Sequence, residues 1–135
     1  MIKKALLLTL LLSTIGFAQS MEQFAATYHY ETNYDVALQK AKKAHKFVLF
    51  VMVTNYCPWC RKYEKRTLSD ATINTDIHKR YIPLILNREK GEFPEQFKTP
   101  IVPVTYIVNY KNETIEKKIM GYKNKKDLNE SIKPY

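Results

Sequence analysis

Cysteine is scarce in this chain: two residues in 135, Cys57 and Cys60. That number excludes a disulfide-built scaffold. The spacing also argues against a structural staple, because closing a four-residue loop restricts the unfolded chain by only about 2 kcal/mol. Cys-x-x-Cys suits making and breaking a disulfide better than holding a fold. Glycine is sparse too, at three residues, and no low-complexity tract or repeat occurs, so disorder is confined to the ends. His29, His45 and His78 have no Cys, Asp or Glu at ligand spacing and read as surface residues. No methionine cluster accompanies the cysteines, and a structural zinc site needs four ligands.

No apolar run approaches the roughly 20 residues of a membrane-crossing helix. The N-terminus instead carries Lys3-Lys4, an apolar stretch Ala5 to Leu12 broken only by Thr9, and Gly16-Phe17-Ala18 with small residues at its first and third places. This is the layout of a secretory signal peptide cleaved after Ala18; an uncleaved membrane anchor is the alternative. The expected division is a signal peptide over 1–18, an N-terminal extension over 19–32 and one folded domain over 33–135, in a periplasmic or secreted protein. Removing 1–18 takes away two lysines and no acid, lowering the net charge from +9 to +7. The lysines are scattered, so no nucleic-acid partner is expected. Acidic partners or an anionic membrane surface suit the charge, and a solvated surface is the plainer reading.

Past a polar, Tyr-rich 19–32, where Tyr28–Tyr30 is a candidate edge strand, Asn33 caps a helix over Tyr34–His45. Tyr34, Ala37, Leu38, Ala41 and Ala44 fall at helical spacing. Phe47–Val53 is a continuous apolar run, the pattern of a strand buried on both faces. The cysteine motif follows at once, with Pro58 suited to a first helical turn and the helix running to Leu68. Ser69 or Asp70 caps a helix to Arg80. Strands are expected over Tyr81–Leu86, Val104–Val108 and Thr114–Met120, a helical turn near Pro94–Phe97, and a last helix over Lys125–Ile132. The alternating first half implies a βαβ crossover and parallel strands, and the hairpin adds an antiparallel partner. The expected fold class is α/β, a mixed central sheet flanked by helices, in a single domain.

A buried strand leading into Cys57-Pro58-Trp59-Cys60 at a helix start, then Val102-Pro103-Val104 opening a later strand, then a hairpin ending at Gly121 and a last helix, resembles the thioredoxin fold over about residues 33–133. The segment from Cys57 through Arg61, Lys62, Tyr63, Glu64 and Thr67 to Asp70 is similar to secreted thioredoxin-like domains, including the C-terminal domain of the transmembrane disulfide reductase. So is the upstream Tyr34-Asp35-Val36-Ala37-Leu38 with Ala41-Lys42-Lys43. Two departures stand out: thioredoxin has a buried Asp where this chain has Val51, and a Trp where it has Tyr56.

The resemblance implies a thiol–disulfide oxidoreductase, reductase rather than oxidase, that needs no cofactor and no metal. Its partners would be protein thiol or disulfide clients and an electron donor or acceptor such as a membrane redox protein. It also implies a cis Val102–Pro103 peptide beside the cysteines, with Val102 and Pro103 binding client backbone and Pro100 trans. By position, Cys57 at the helix start is the nucleophile and Cys60 the resolving thiol. The helix start favours the Cys57 thiolate, and Arg61, Lys62, Lys65 and Arg66 either add to that effect or form a solvated face. Trp59 and Tyr56 are candidate apolar platforms for a client, with simple packing the alternative for Tyr56. Glu64 falls on one helical stripe with Cys57 and Cys60. The resembling reductase domain also has a Glu there, so two readings stand: a partly buried proton acceptor beneath the disulfide, or an ordinary ion pair with a nearby Lys or Arg. Two competing functions use the same scaffold: Cu(I) or zinc handling by the two thiolates, and a redox-inert binding domain.

Overall fold

The structure is a computed structural model that describes residues 20–135. The expected signal segment 1–18 lies outside the described residues. Helix α1 (Met21–Tyr28) starts on a capping box: Ser20 Oγ accepts from Gln23 N–H, and the Gln23 side chain accepts from Ser20 N–H. It is followed by α2 (Tyr34–Ala44), β1 (Phe47–Val53), α3 (Pro58–Tyr63), a π-helical turn (Glu64–Leu68), α4 (Ala71–Arg80) and β2 (Tyr81–Asn87). A short 3-10 turn (Glu95–Phe97), β3 (Val104–Val108), β4 (Ile115–Met120) and α5 (Lys125–Ile132) complete the chain.

The four strands form one mixed sheet in the order β2-β1-β3-β4. β1 runs parallel to β2 and antiparallel to β3, and β3–β4 is the antiparallel hairpin. β1 is the centre of the molecule, and its period-2 alternation divides the core. Leu49, Val51 and Val53 face a cluster made with α1, α3, α4 and α5, including Phe24, Tyr63, Ile77, Leu128 and Ile132. Val48, Phe50 and Met52 face the other cluster, made with α2 and with Phe97 and Tyr106. The unbroken apolar run of β1 is thus explained by burial on both faces.

Two expectations are corrected. Residues 21–28 are helical, not a prelude to a Tyr28–Tyr30 strand. The chain reaches the sheet one residue later, where Glu31 N–H donates to Pro83 O and Ile85 N–H donates to Glu31 O. Over its described part the N-terminal extension packs onto the sheet: Met21, Phe24, Ala25 and Tyr30 are buried in the first cluster. The burial of Phe24, with the cap that starts its helix, holds this polar, Tyr-rich segment in place. Finally, His78 is half-buried, its Nε2 2.9 Å from Tyr28 O, so it ties α4 to the end of α1. His29 and His45 are exposed C-caps with φ of 60° and 55°.

Candidate active site

The site forms where β1 ends and α3 begins. Cys57 is the N-cap of α3, in extended backbone, and Pro58 occupies the first turn, where its missing N–H is not needed. Cys57 and Cys60 are joined as a disulfide with Cα atoms 5.1 Å apart. The two sulfurs differ in environment. Cys60 is fully buried, whereas Cys57 keeps 8% of its surface exposed. Cys60 N–H points at Cys57 Sγ, 3.1 Å away. In the reduced state this helix-start donor, which has no backbone partner within the helix, would stabilise a Cys57 thiolate.

Val102 and Pro103 face the cysteines across the site. Cys57 Sγ lies 3.9 Å from Val102 O, and Val102–Pro103 is the one cis peptide among the described residues. Gly121 N–H donates to Pro103 O at 2.8 Å, which fastens this loop to the end of β4. Gly121 has φ +77°, a left-handed conformation that turns the chain out of the strand. Trp59, Val102, Pro103, Gly121 and Tyr122 line an apolar hollow of about 340 Å³ beside the disulfide. Trp59 is half exposed and packs at a tilt against Tyr122, ring centroids 5.7 Å apart, with Lys62 Nζ 4.5 Å and 4.9 Å from the two rings. Tyr56 is 97% exposed, which rules out the packing alternative. Tyr122 was not singled out from sequence; its place directly after the strand-ending Gly121 is the signal that marks it.

Behind the cysteines the helix runs to Leu68 as expected, but not in α form throughout. From Glu64 it widens to a π turn, with Ser69 N–H donating to Glu64 O five residues back. The extra residue lets Glu64, Thr67 and Leu68 all turn inward. Glu64 is 2% exposed. Burial pushes its carboxyl up from 4.5 to about 7, against the opposing pull of the Arg61 guanidinium, whose Nη2 donates to Glu64 Oε1 at 2.8 Å; Glu22 on α1 pushes the same way as burial. Both sequence readings therefore describe parts of one arrangement: an ion pair, held inside. Val51 is fully buried in the same cluster as the cysteines, so β1 supplies no acid there. The neighbouring Tyr63 hydroxyl is buried and shares a 3.0 Å hydrogen bond with Thr105 Oγ1.

Lys65 and Arg66 are exposed and point away from the buried cysteine stripe, so their effect on the sulfurs is screened by water and salt. Among the described residues, no three His, Cys, Asp or Glu side chains converge as a metal site.

A family model described as thioredoxin-like matches residues 29–109. Three solved structures share the fold. A thioredoxin from Thermus thermophilus aligns with a TM-score of 0.66 at 16% identity, over 76% of this chain and 83% of that one. The C-terminal domain of DsbD from Neisseria meningitidis, in its oxidised form, aligns at 0.60 and 15%, over 74% and 90%. The DsbH oxidoreductase aligns at 0.57 and 17%, over 69% and 75%. Identities this low speak to the fold alone. No curated protein sequence matches the chain significantly.

Proposed function

This chain belongs to the thioredoxin-like family, and from that premise we propose that it is an exported thiol–disulfide oxidoreductase working as a reductase of protein disulfides. The observation that carries the proposal is the asymmetry of the Cys57–Cys60 pair. Cys57 keeps a small exposed fraction, at a helix start and under a backbone donor, and Cys60 is fully buried one turn inside.

That asymmetry supports thiol–disulfide exchange entered at Cys57, and the likeness to the reductase domain supports the reductive direction. In the reduced protein the Cys57 thiolate attacks one sulfur of a client disulfide. A Cys57–client S–S bond forms, the client S–S bond breaks, and the released client thiolate takes a proton. Cys60, deprotonated in turn, attacks Cys57 Sγ. The intramolecular disulfide forms and the second client sulfur leaves as a thiolate. The client gains two electrons and the protein loses two. Cys60 is fully buried, so its proton needs an acceptor inside the protein. Glu64, buried on the same helix and poised near neutrality, is the group we assign to accept it. The hollow formed by Trp59, Val102, Pro103 and Tyr122 receives the client segment next to its cysteine, and Tyr56 forms its outer rim.

Export rests on the tripartite pattern of residues 1–18. The compartment we assign is the periplasm or the exterior, and the electron donor is a membrane redox protein. The deciding measurement is the reduction potential in a glutathione series. A value near −270 mV supports a reductase, and one near −120 mV assigns the protein as an oxidant instead. Mass spectrometry of protein from its native host tests export: a chain beginning at Gln19 supports it, and soluble protein retaining Met1 overturns it.

A further inference from the structure

Next to the apolar hollow lies a second, larger depression with a different lining: Lys65, Arg66, Tyr122, Asn124, Lys125 and Lys126. Tyr122 lines both hollows, so the basic depression adjoins the redox site. Lys62, over the Trp59 and Tyr122 rings, stands at the boundary between them. Only Lys125 is neutralised, by Asp70 at 2.7 Å. Among the described residues no carboxylate lies within ion-pair distance of Lys62, Lys65, Arg66 or Lys126, and residues 1–19 carry no acid to supply one.

The two segments that bear these charges are fixed against each other. Thr67 Oγ1 donates to Lys123 O at 2.7 Å, and the Lys125–Asp70 pair ties the start of α5 to the cap of α4. The lobe is therefore preformed, and Asp70 offsets only the charge of Lys125, leaving Lys65, Arg66 and Lys126 uncompensated. Uncompensated like charges held together favour an anionic occupant.

We propose that this lobe is a specificity surface for the redox partner: it selects clients that carry acidic residues within a few positions of the reacting cysteine. An extended segment with its cysteine at Cys57 and an apolar residue in the Trp59–Tyr122 hollow continues over Tyr122 onto Lys65, Arg66 and Lys126. This deepens the oxidoreductase reading and rests on it. The lobe acts on capture of the client and not on the sulfur chemistry.

The test separates the two. Four peptides are needed: a disulfide-bonded peptide with three aspartates beside one cysteine, its asparagine counterpart, and a serine-for-cysteine version of each that cannot react. Trp59 is the single tryptophan of the chain, so its fluorescence reports binding of the unreactive peptides without turnover. At low ionic strength the aspartate peptide should bind, and be reduced with a kcat/KM, about tenfold better than the asparagine peptide, since each exposed pair contributes modestly. The gap should close near 1 M salt, where screening acts within about 3 Å. The variant Lys65→Glu/Arg66→Glu/Lys126→Glu should lose the preference while reducing the asparagine peptide and uncharged hydroxyethyl disulfide at the wild-type rate. Equal binding of the two peptides by the wild type overturns the proposal, as does a preference that survives in the variant. Binding to anionic phosphatidylglycerol vesicles with no peptide preference reassigns the lobe to a membrane surface and also overturns it. Failure to reduce hydroxyethyl disulfide would instead count against the oxidoreductase reading, and peptide binding would still decide the lobe.

Discussion

Replacing Glu64 with Gln should make the protein relatively more stable as the pH rises. Glu64 is 2% exposed, and its carboxyl is raised from 4.5 to about 7, chiefly by burial. Below pH 4.5 it is protonated in the folded and unfolded chain alike and adds no pH dependence. Between 4.5 and 7 the folded chain holds a proton that the unfolded chain has released, so folding stability falls as the pH rises. Above 7 both are ionised, and the full cost of the buried charge is present. One pH unit corresponds to about 1.4 kcal/mol, so the span from 4.5 to about 7 amounts to about 3 kcal/mol. The glutamine side chain keeps the shape and can still accept from Arg61, but it does not titrate. Urea unfolding of the oxidised protein and of Glu64→Gln, from pH 4 to pH 8, should show the variant gaining about 3 kcal/mol relative to wild type, with the m-value unchanged. A difference independent of pH would refute the reasoning. A variant that becomes relatively worse with rising pH would show that the Arg61 pair, not burial, governs this carboxyl.

Four further outcomes are expected. Cys60→Ser should accumulate mixed disulfides with clients on non-reducing gels, whereas Cys57→Ser should not; equal trapping would reverse or abolish the assignment of roles. In single-turnover exchange, Glu64→Gln should flatten the pH dependence around 7, and an unchanged profile would remove Glu64 as the proton acceptor. Thr105→Val leaves the buried Tyr63 hydroxyl without its partner and should cost about 1–3 kcal/mol in urea unfolding. Leu128→Ala, which truncates a fully buried side chain of α5 against the sheet, should cost about 2–5 kcal/mol.

Much of this architecture was legible in one dimension, because local rules and tertiary burial agree there. Phe47–Val53 is apolar at every position and has helices on both sides of it. Asn33 and Asp70 are short acceptors at the starts of amphipathic segments, and both are the N-caps found. Pro58 after Cys57 marks a helix start that needs no further context. Where chain neighbours decide the structure, sequence spacing suffices.

The remainder depends on residues far apart in sequence. Nothing within α1 distinguishes a packed helix from a polar tail; Phe24 becomes core only because β2 and α4 present a surface to cover. The stripe through Cys57, Cys60 and Glu64 is a property of helical period, but the depth at which Glu64 sits depends on α1 and on the π turn that draws Thr67 and Leu68 inward with it. The lysines at 65, 125 and 126 read as scattered along the chain. They become one lobe because Thr67 and Asp70 bind the start of α5 to the helix that follows the cysteines. Charge along a sequence sets how many cations there are, whereas their field depends on distances through space, and only the folded chain establishes those.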